Sequence, residues 1–176
     1  MNYILLLLMA VNVAMAQEPL DVGSPYCKLR PFTSDGCSDF PDGTPEHPTQ
    51  WQHCCVAHDI AYWAGGERAL RVQADAQLRD CVMQSAIEVG ASRILVDAIA
   101  YAMQAGVKIG GTAYNPTTYR WGYGWERVRG YAPLTDAEKS AVAALTPADF
   151  TQVPINKISL RQQWEPSALL RTCPVD

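Results

Sequence analysis

The chain is 176 residues long, 48% apolar and 18% charged, with a formal net charge of −4. So modest a charge, with no basic run, excludes a nucleic-acid footprint. Beyond its first residues, no stretch runs about 18 residues without a charge, so no transmembrane segment is expected in the mature chain. The opening run MNYILLLLMAVNVAMA ends in Ala14-Met15-Ala16, with Gln17 next. A short apolar run closed by small residues reads as a signal peptide over residues 1–16, cleaved near Ala16-Gln17. The protein is therefore expected to be secreted or periplasmic. About 160 residues would remain, enough for a single domain, 17–176, with its own core.

Residues 17–50 hold six prolines and three glycines with little periodicity, and they predict a loop region anchored by Cys27 and Cys37. The helical core is expected over 49–110. Thr49 is the expected N-cap of a first helix that runs through Trp63 and is broken by Gly65-Gly66. Glu67 to Val89 suits a second helix, with Leu70, Ala74, Leu78, Cys81, Val82 and Ile87 at roughly helical spacing. Residues 92–109 predict a third helix, apolar nearly all round, with Arg93 and Asp97 as an i,i+4 pair; burial in the core is the expectation and membrane insertion the alternative. Residues 111–176 are expected to form an aromatic hairpin and a C-terminal extension. Alternation at Tyr119, Trp121, Tyr123 and Trp125 carries the hairpin, and Thr135 to Glu138 fits a capping box opening a helix to about Leu145. The fold class expected is mainly α, with a C-terminal α/β elaboration.

The first helix carries the chemistry. At about 1.5 Å and 100° per residue, Cys54, His58 and Tyr62 stack one turn apart, and Cys55 and Asp59 form a parallel pair beside them. An even count of six cysteines in an exported chain favours three disulfides, among about 15 possible pairings. Cys54 and Cys55 point apart, so each should reach a different segment. Were Cys54 bridged to Cys81, Asp75 would come level with His58 and Tyr62, since both lie similar distances from the bridge. Asp75 would then hold one ring nitrogen of His58 and leave the other free as a base. Asp59, on the neighbouring stripe, would be left to ligate a cation. Were Cys37 bonded to Cys55, loop carbonyls around Cys37 would complete a hard oxygen site, suited to Ca²⁺.

The run Cys54-Cys55-x-x-His58-Asp59-x-x-Tyr62, with Asp75 six residues before Cys81, resembles secreted phospholipase A2. The resemblance covers about residues 35–82 and is specific, because several spacings agree at once. It implies an antiparallel helix pair stapled by Cys54–Cys81, with Cys55 bonded to a calcium loop. It also implies that His58 is the base, Asp75 its orienting carboxylate, Tyr62 a partner of Asp75, and Asp59 a Ca²⁺ ligand. If Cys37 holds the place of the family cysteine, the carbonyls of Gly36, Ser38 and Phe40 are the loop ligands, although an Asp side chain from this loop is an alternative. The family's Gly-rich loop is replaced here by Asp35-Gly36-Cys37-Ser38-Asp39-Phe40-Pro41-Asp42-Gly43, which weakens that assignment. A further family disulfide would fall at Ala61 and Ala74, and both its half-cystines are absent together. Elimination then pairs Cys27 with Cys173.

The resemblance implies cleavage of the sn-2 acyl ester of glycerophospholipids at a membrane surface. The alternative is a catalytically silent module on the same scaffold, binding membranes or protein partners. Zinc on Cys54 and His58 at i,i+4 is a weaker alternative. His47 and His53 are expected to be structural or exposed. The Trp, Tyr and Arg cluster at 114–131 reads either as cross-strand aromatic packing or as a lipid-facing surface.

Overall fold

The computed structural model describes residues 19–21, 28–149 and 152–155 of the chain. The expected signal peptide, Cys27, Cys173 and their pairing lie outside the described residues.

The protein is mainly helical. Two short strands, β1 (Leu20–Asp21) and β2 (Lys28–Leu29), pair antiparallel, with Leu20 opposite Leu29. They precede α1 (Gln52–Ala64), α2 (Arg68–Glu88), α3 (Arg93–Gly110) and α4 (Asp136–Leu145). Gly65 and Gly66 take φ values of 71° and 118°, which a side chain disfavours, and the chain turns back there. α2 consequently runs antiparallel to α1, with Cys54 beside Cys81 and His58 beside Asp75. Buried residues form two clusters, one around Tyr62, Trp63, Trp121 and Trp125, the other around Trp51, Cys54, Leu78, Val82 and Met103. Helix α1 contributes to both, and His58 lies between them along it.

The start of α1 differs from expectation. Its N-cap is Trp51, not Thr49, and no side chain caps it. Trp51 is held instead by its backbone N–H to Asp42 and its indole N–H to the Pro41 carbonyl, so burial of a large ring decides the start. On α2, Ala74, Leu78 and Val82 are buried as expected, but Leu70 and Ile87 are exposed.

The third helix is not buried. α3 covers only the stripe Val96, Ala100, Met103 and Gln104, because it packs chiefly on α2. Ile94 is 84% exposed, Ile109 76%, Tyr101 68% and Leu95 60%. Arg93 and Asp97 are both exposed and are not paired with each other. None of the described helices is long and apolar enough to cross a membrane.

The expected aromatic hairpin is not formed either. Residues 111–131 run as consecutive turns, with single bridges rather than a ladder and with Gly122 and Gly130 at positive φ. The backbone groups of this segment are taken up by the end of α1. Gly122 N–H donates to Tyr62 O at 2.6 Å, and Gly124 N–H to Trp63 O at 3.1 Å. The Trp125 indole donates to Ala64 O at 2.8 Å and the Trp121 indole to Gly66 O at 2.7 Å. Carbonyls left unpaired at a helix C-terminus are thereby satisfied by a distant segment. A Cβ at Gly124 would enter the Trp63 ring, so the close approach requires glycine.

Burial also removes most of this segment from contact with lipid. Trp121, Tyr123 and Trp125 are at most 6% exposed. Arg120 is buried on the carbonyls of Trp121, Gly122 and Trp125, and burial pulls its pKa down to about 10. Arg129 forms a buried fork on Glu138 at 2.8 and 2.6 Å and stacks over Trp125. Glu138 in turn closes the expected capping box with Thr135 at the start of α4. Neither buried arginine is presented to a phosphate.

Candidate active site

Helix periodicity on α1 projects His58 and Tyr62 one turn apart toward α2, where Asp75 is fully buried. His58 Nε2 is 3.2 Å from Asp75 Oδ1, and the Tyr62 hydroxyl donates to that same oxygen at 2.6 Å. The rings of His58 and Tyr62 lie 4.1 Å apart, and Trp121 meets Tyr62 edge-on at 5.1 Å. Gln104 of α3 donates to the backbone carbonyl of Asp75 at 3.3 Å, so α1 and α3 both meet α2 at this residue, while the carboxylate itself is held from α1. The second oxygen, Oδ2, is buried without a partner among the described residues.

Burial is the main influence on His58 and lowers its proton affinity below the ordinary value, while the hydrogen bond and charge of Asp75 act in the opposite direction. The imidazole is thus neutral at neutral pH, with Nε2 turned to Asp75. Nδ1 makes no hydrogen bond to a described residue. Burial raises the Tyr62 hydroxyl, and the Asp75 charge raises it further, so Tyr62 serves as a donor and not as a base.

The disulfides form as the resemblance implied. Cys54–Cys81 joins α1 to α2 with Cα atoms 5.7 Å apart, and Cys37–Cys55 joins the loop to α1 at 5.0 Å. The second bridge brings the loop onto the Asp59 stripe. Asp59 accepts a hydrogen bond from the Ser34 hydroxyl at 2.6 Å, and Ser34 Oγ in turn accepts the Gly36 N–H at 3.1 Å. Asp42 Oδ1 accepts the Cys37 N–H at 2.7 Å, and Ser38 Oγ donates to Asp35 at 2.9 Å. Gly36 and Ser38 both take positive φ, 73° and 53°, unusual for serine. Burial drives the Asp59 carboxyl well above the usual carboxylate range, and the charges of Asp35 and Asp42 push it the same way.

Gly36, Ser38, Phe40, His58 and Asp59 line one cleft of about 190 Å³, together with the apolar Leu78, Met103, Gly106 and Val107. His58, Tyr62, Asp59 and the loop residues share this cavity, whereas Asp75 does not line it and reaches it only through His58 and Tyr62. Ser34, Met103 and Tyr119 were not foreseen; nothing in their spacing marks them, because each reaches the site through the tertiary fold. A cation fits the donor chemistry here. Asp59 is a buried carboxyl whose charged neighbours are the carboxylates Asp35 and Asp42, in a cleft that loop residues 36–40 also line.

Zinc on Cys54 and His58 is overturned, because Cys54 is oxidised to Cys81. His53, Cys54 and Cys81 approach closely enough to suggest a metal group, but both sulfurs are in the same disulfide and neither is a thiolate. His47 and His53 are exposed, as expected. Comparison of the chain with protein-family profiles, with curated proteins and with solved structures finds no match.

Proposed function

We propose that the protein is a calcium-dependent, phospholipase A2-like hydrolase of the sn-2 acyl ester of glycerophospholipids. The observation that carries this reading is the cleft in which His58, backed by Asp75 and Tyr62, meets Asp59 and the Cys37 loop. A neutral His58 takes a proton from water at Nδ1, and that water attacks the ester carbonyl. Asp75 stabilises the resulting imidazolium and holds its tautomer, and His58 then returns the proton to the leaving alkoxide. No covalent intermediate is needed. Asp59, with the carbonyls of Gly36, Ser38 and Phe40, would hold Ca²⁺, which supplies electrostatic stabilisation of the oxyanion.

The surface supports a lipid substrate at a different place from the aromatic segment. α3 presents Ile94, Leu95, Tyr101 and Ile109 to solvent, and its residues Met103, Gly106 and Val107 form a wall of the cleft. Disulfides and the leader-like opening run support a secreted or periplasmic setting. One observation favours the silent-module reading: Asp59 is already bonded to Ser34, and its environment favours the protonated form. Mixed-chain phospholipid vesicles, incubated with calcium or chelator, separate the two. Calcium-dependent release of the sn-2 fatty acid, lost in His58→Gln, supports the hydrolase. Vesicle binding without release under either condition supports the silent module.

A further inference from the structure

The disulfide beside the His58–Asp75 pair has a neighbour that the Cys37–Cys55 bridge lacks. His53 Nε2 lies 3.4 Å from Cys54 Sγ, 3.7 Å from Cys81 Sγ and 3.3 Å from Ser85 Oγ. His53 is exposed and Cys81 half-buried, whereas Cys54, Cys37 and Cys55 are all buried. Both sulfur-bearing residues also line a second cavity of about 220 Å³, between α1 and α2. Its walls are small where the helices approach, at Ala57, Ala61 and Ala74, its rim includes the exposed Gln77, and it reaches His58.

We infer that Cys54–Cys81 is a thiol-exchange site, entered through the α1–α2 groove by a small thiol of the glutathione class, with His53 as the acid for the departing sulfur. The entering thiolate attacks the more accessible Cys81 Sγ. The Cys54–Cys81 bond breaks, its electron pair leaves on Cys54 Sγ, and that sulfur takes a proton from protonated His53 Nε2. Cys81 then carries the small thiol as a mixed disulfide. A second thiolate attacks the sulfur of that adduct, frees the Cys81 sulfur and leaves the two small thiols joined as one disulfide. Proton donation to the leaving sulfur lowers the barrier, because a better leaving group departs faster. Cys54 lies one turn before His58, and Cys81 lies under two turns beyond Asp75. Exchange therefore removes the staple nearest the His58–Asp75 pair, and the adduct occupies a groove that touches His58. The effect on hydrolysis rests on the reading given under Proposed function; the exchange itself does not.

The test uses the folded chain and limiting reduced glutathione, with alkylation of freed thiols and peptide mapping over time. Label or glutathione adduct should reach Cys54 and Cys81 about tenfold sooner than Cys37 and Cys55, and His53→Gln should slow this by about threefold or more while leaving Cys37–Cys55 unchanged. Ala57→Leu, which adds bulk to a wall of the groove, should also slow it, and an unchanged rate would remove the groove as the route of entry. Equal rates at the two bridges, or an unchanged rate in His53→Gln, would overturn the inference. The readout is labelling, so a chain that cleaves no phospholipid still reports on exchange, and the two readings fail separately.

Discussion

Tyr62→Phe removes the phenol hydroxyl, whose shortest bond is to Asp75 and whose longer one is to the Val107 carbonyl, without disturbing the ring packing. The phenol donates at 2.6 Å to a fully buried carboxylate whose other oxygen has no partner among the described residues. A hydrogen bond to a charged, buried acceptor contributes about 1.5–3 kcal/mol, and its loss leaves Asp75 with the imidazole alone. The phenylalanine ring still meets Trp121 edge-on and His58 at its face, so no cavity term larger than a hydroxyl is added. A loss of about 2 kcal/mol follows, or about 4–8 °C in Tm for a chain of this size. Thermal unfolding of Tyr62→Phe, Asp75→Asn and the double variant measures it as a cycle, with an expected coupling of about 1–2 kcal/mol. A destabilisation below about 0.5 kcal/mol, or strictly additive variants, would show that the Tyr62–Asp75 contact does not hold the pair together.

Further outcomes concern His58, Asp59, the exposed face of α3 and the buried Trp121. Because burial lowers the proton affinity of His58, the acid limb of kcat/KM for phospholipid should fall below pH 6.5; a midpoint above it would contradict a neutral buried base. The same shift means that the unfolded chain takes up a proton first, so the stability contributed by His58 is present above about pH 6.5 and is lost as pH falls below it. Asp59 has the opposite sign. Its raised pKa makes the cation-free fold less stable as pH rises through that value, so Asp59→Asn should raise Tm in chelator at neutral pH and abolish any gain on adding Ca²⁺. A variant that loses Tm in chelator, or still gains it with Ca²⁺, would remove Asp59 from the proposed site. On the surface, Ile94→Ser, Leu95→Ser and Ile109→Ser together should reduce vesicle partitioning by about tenfold or more with Tm nearly unchanged. Trp121→Ala should instead cost about 3–5 kcal/mol of stability, since that ring is in the core; equal partitioning of the triple variant and wild type would refute the α3 face.

Local periodicity and local hydrogen bonds made much of this protein readable from its residues. The 3.6-residue repeat placed His58 and Tyr62 on one stripe and Asp59 on the next, and Gly65-Gly66 marked where α1 turns. The Thr135–Glu138 capping box forms as its spacing required. The pairings Cys54–Cys81 and Cys37–Cys55 came through a family resemblance rather than from spacing alone. Tertiary structure decided the rest. Turn residues 122–125 cap the end of α1 because its last carbonyls must find donors, and no local pattern names a donor some sixty residues away. α3, apolar nearly all round, buries only the stripe that α2 covers, so its composition could not say which face would meet solvent. Ser34 on Asp59 and His53 on the disulfide are likewise contacts between segments, set by how closely the folded chain brings them together. A sequence determines which side chains share a helix face; only the packing of that face determines what each of them meets.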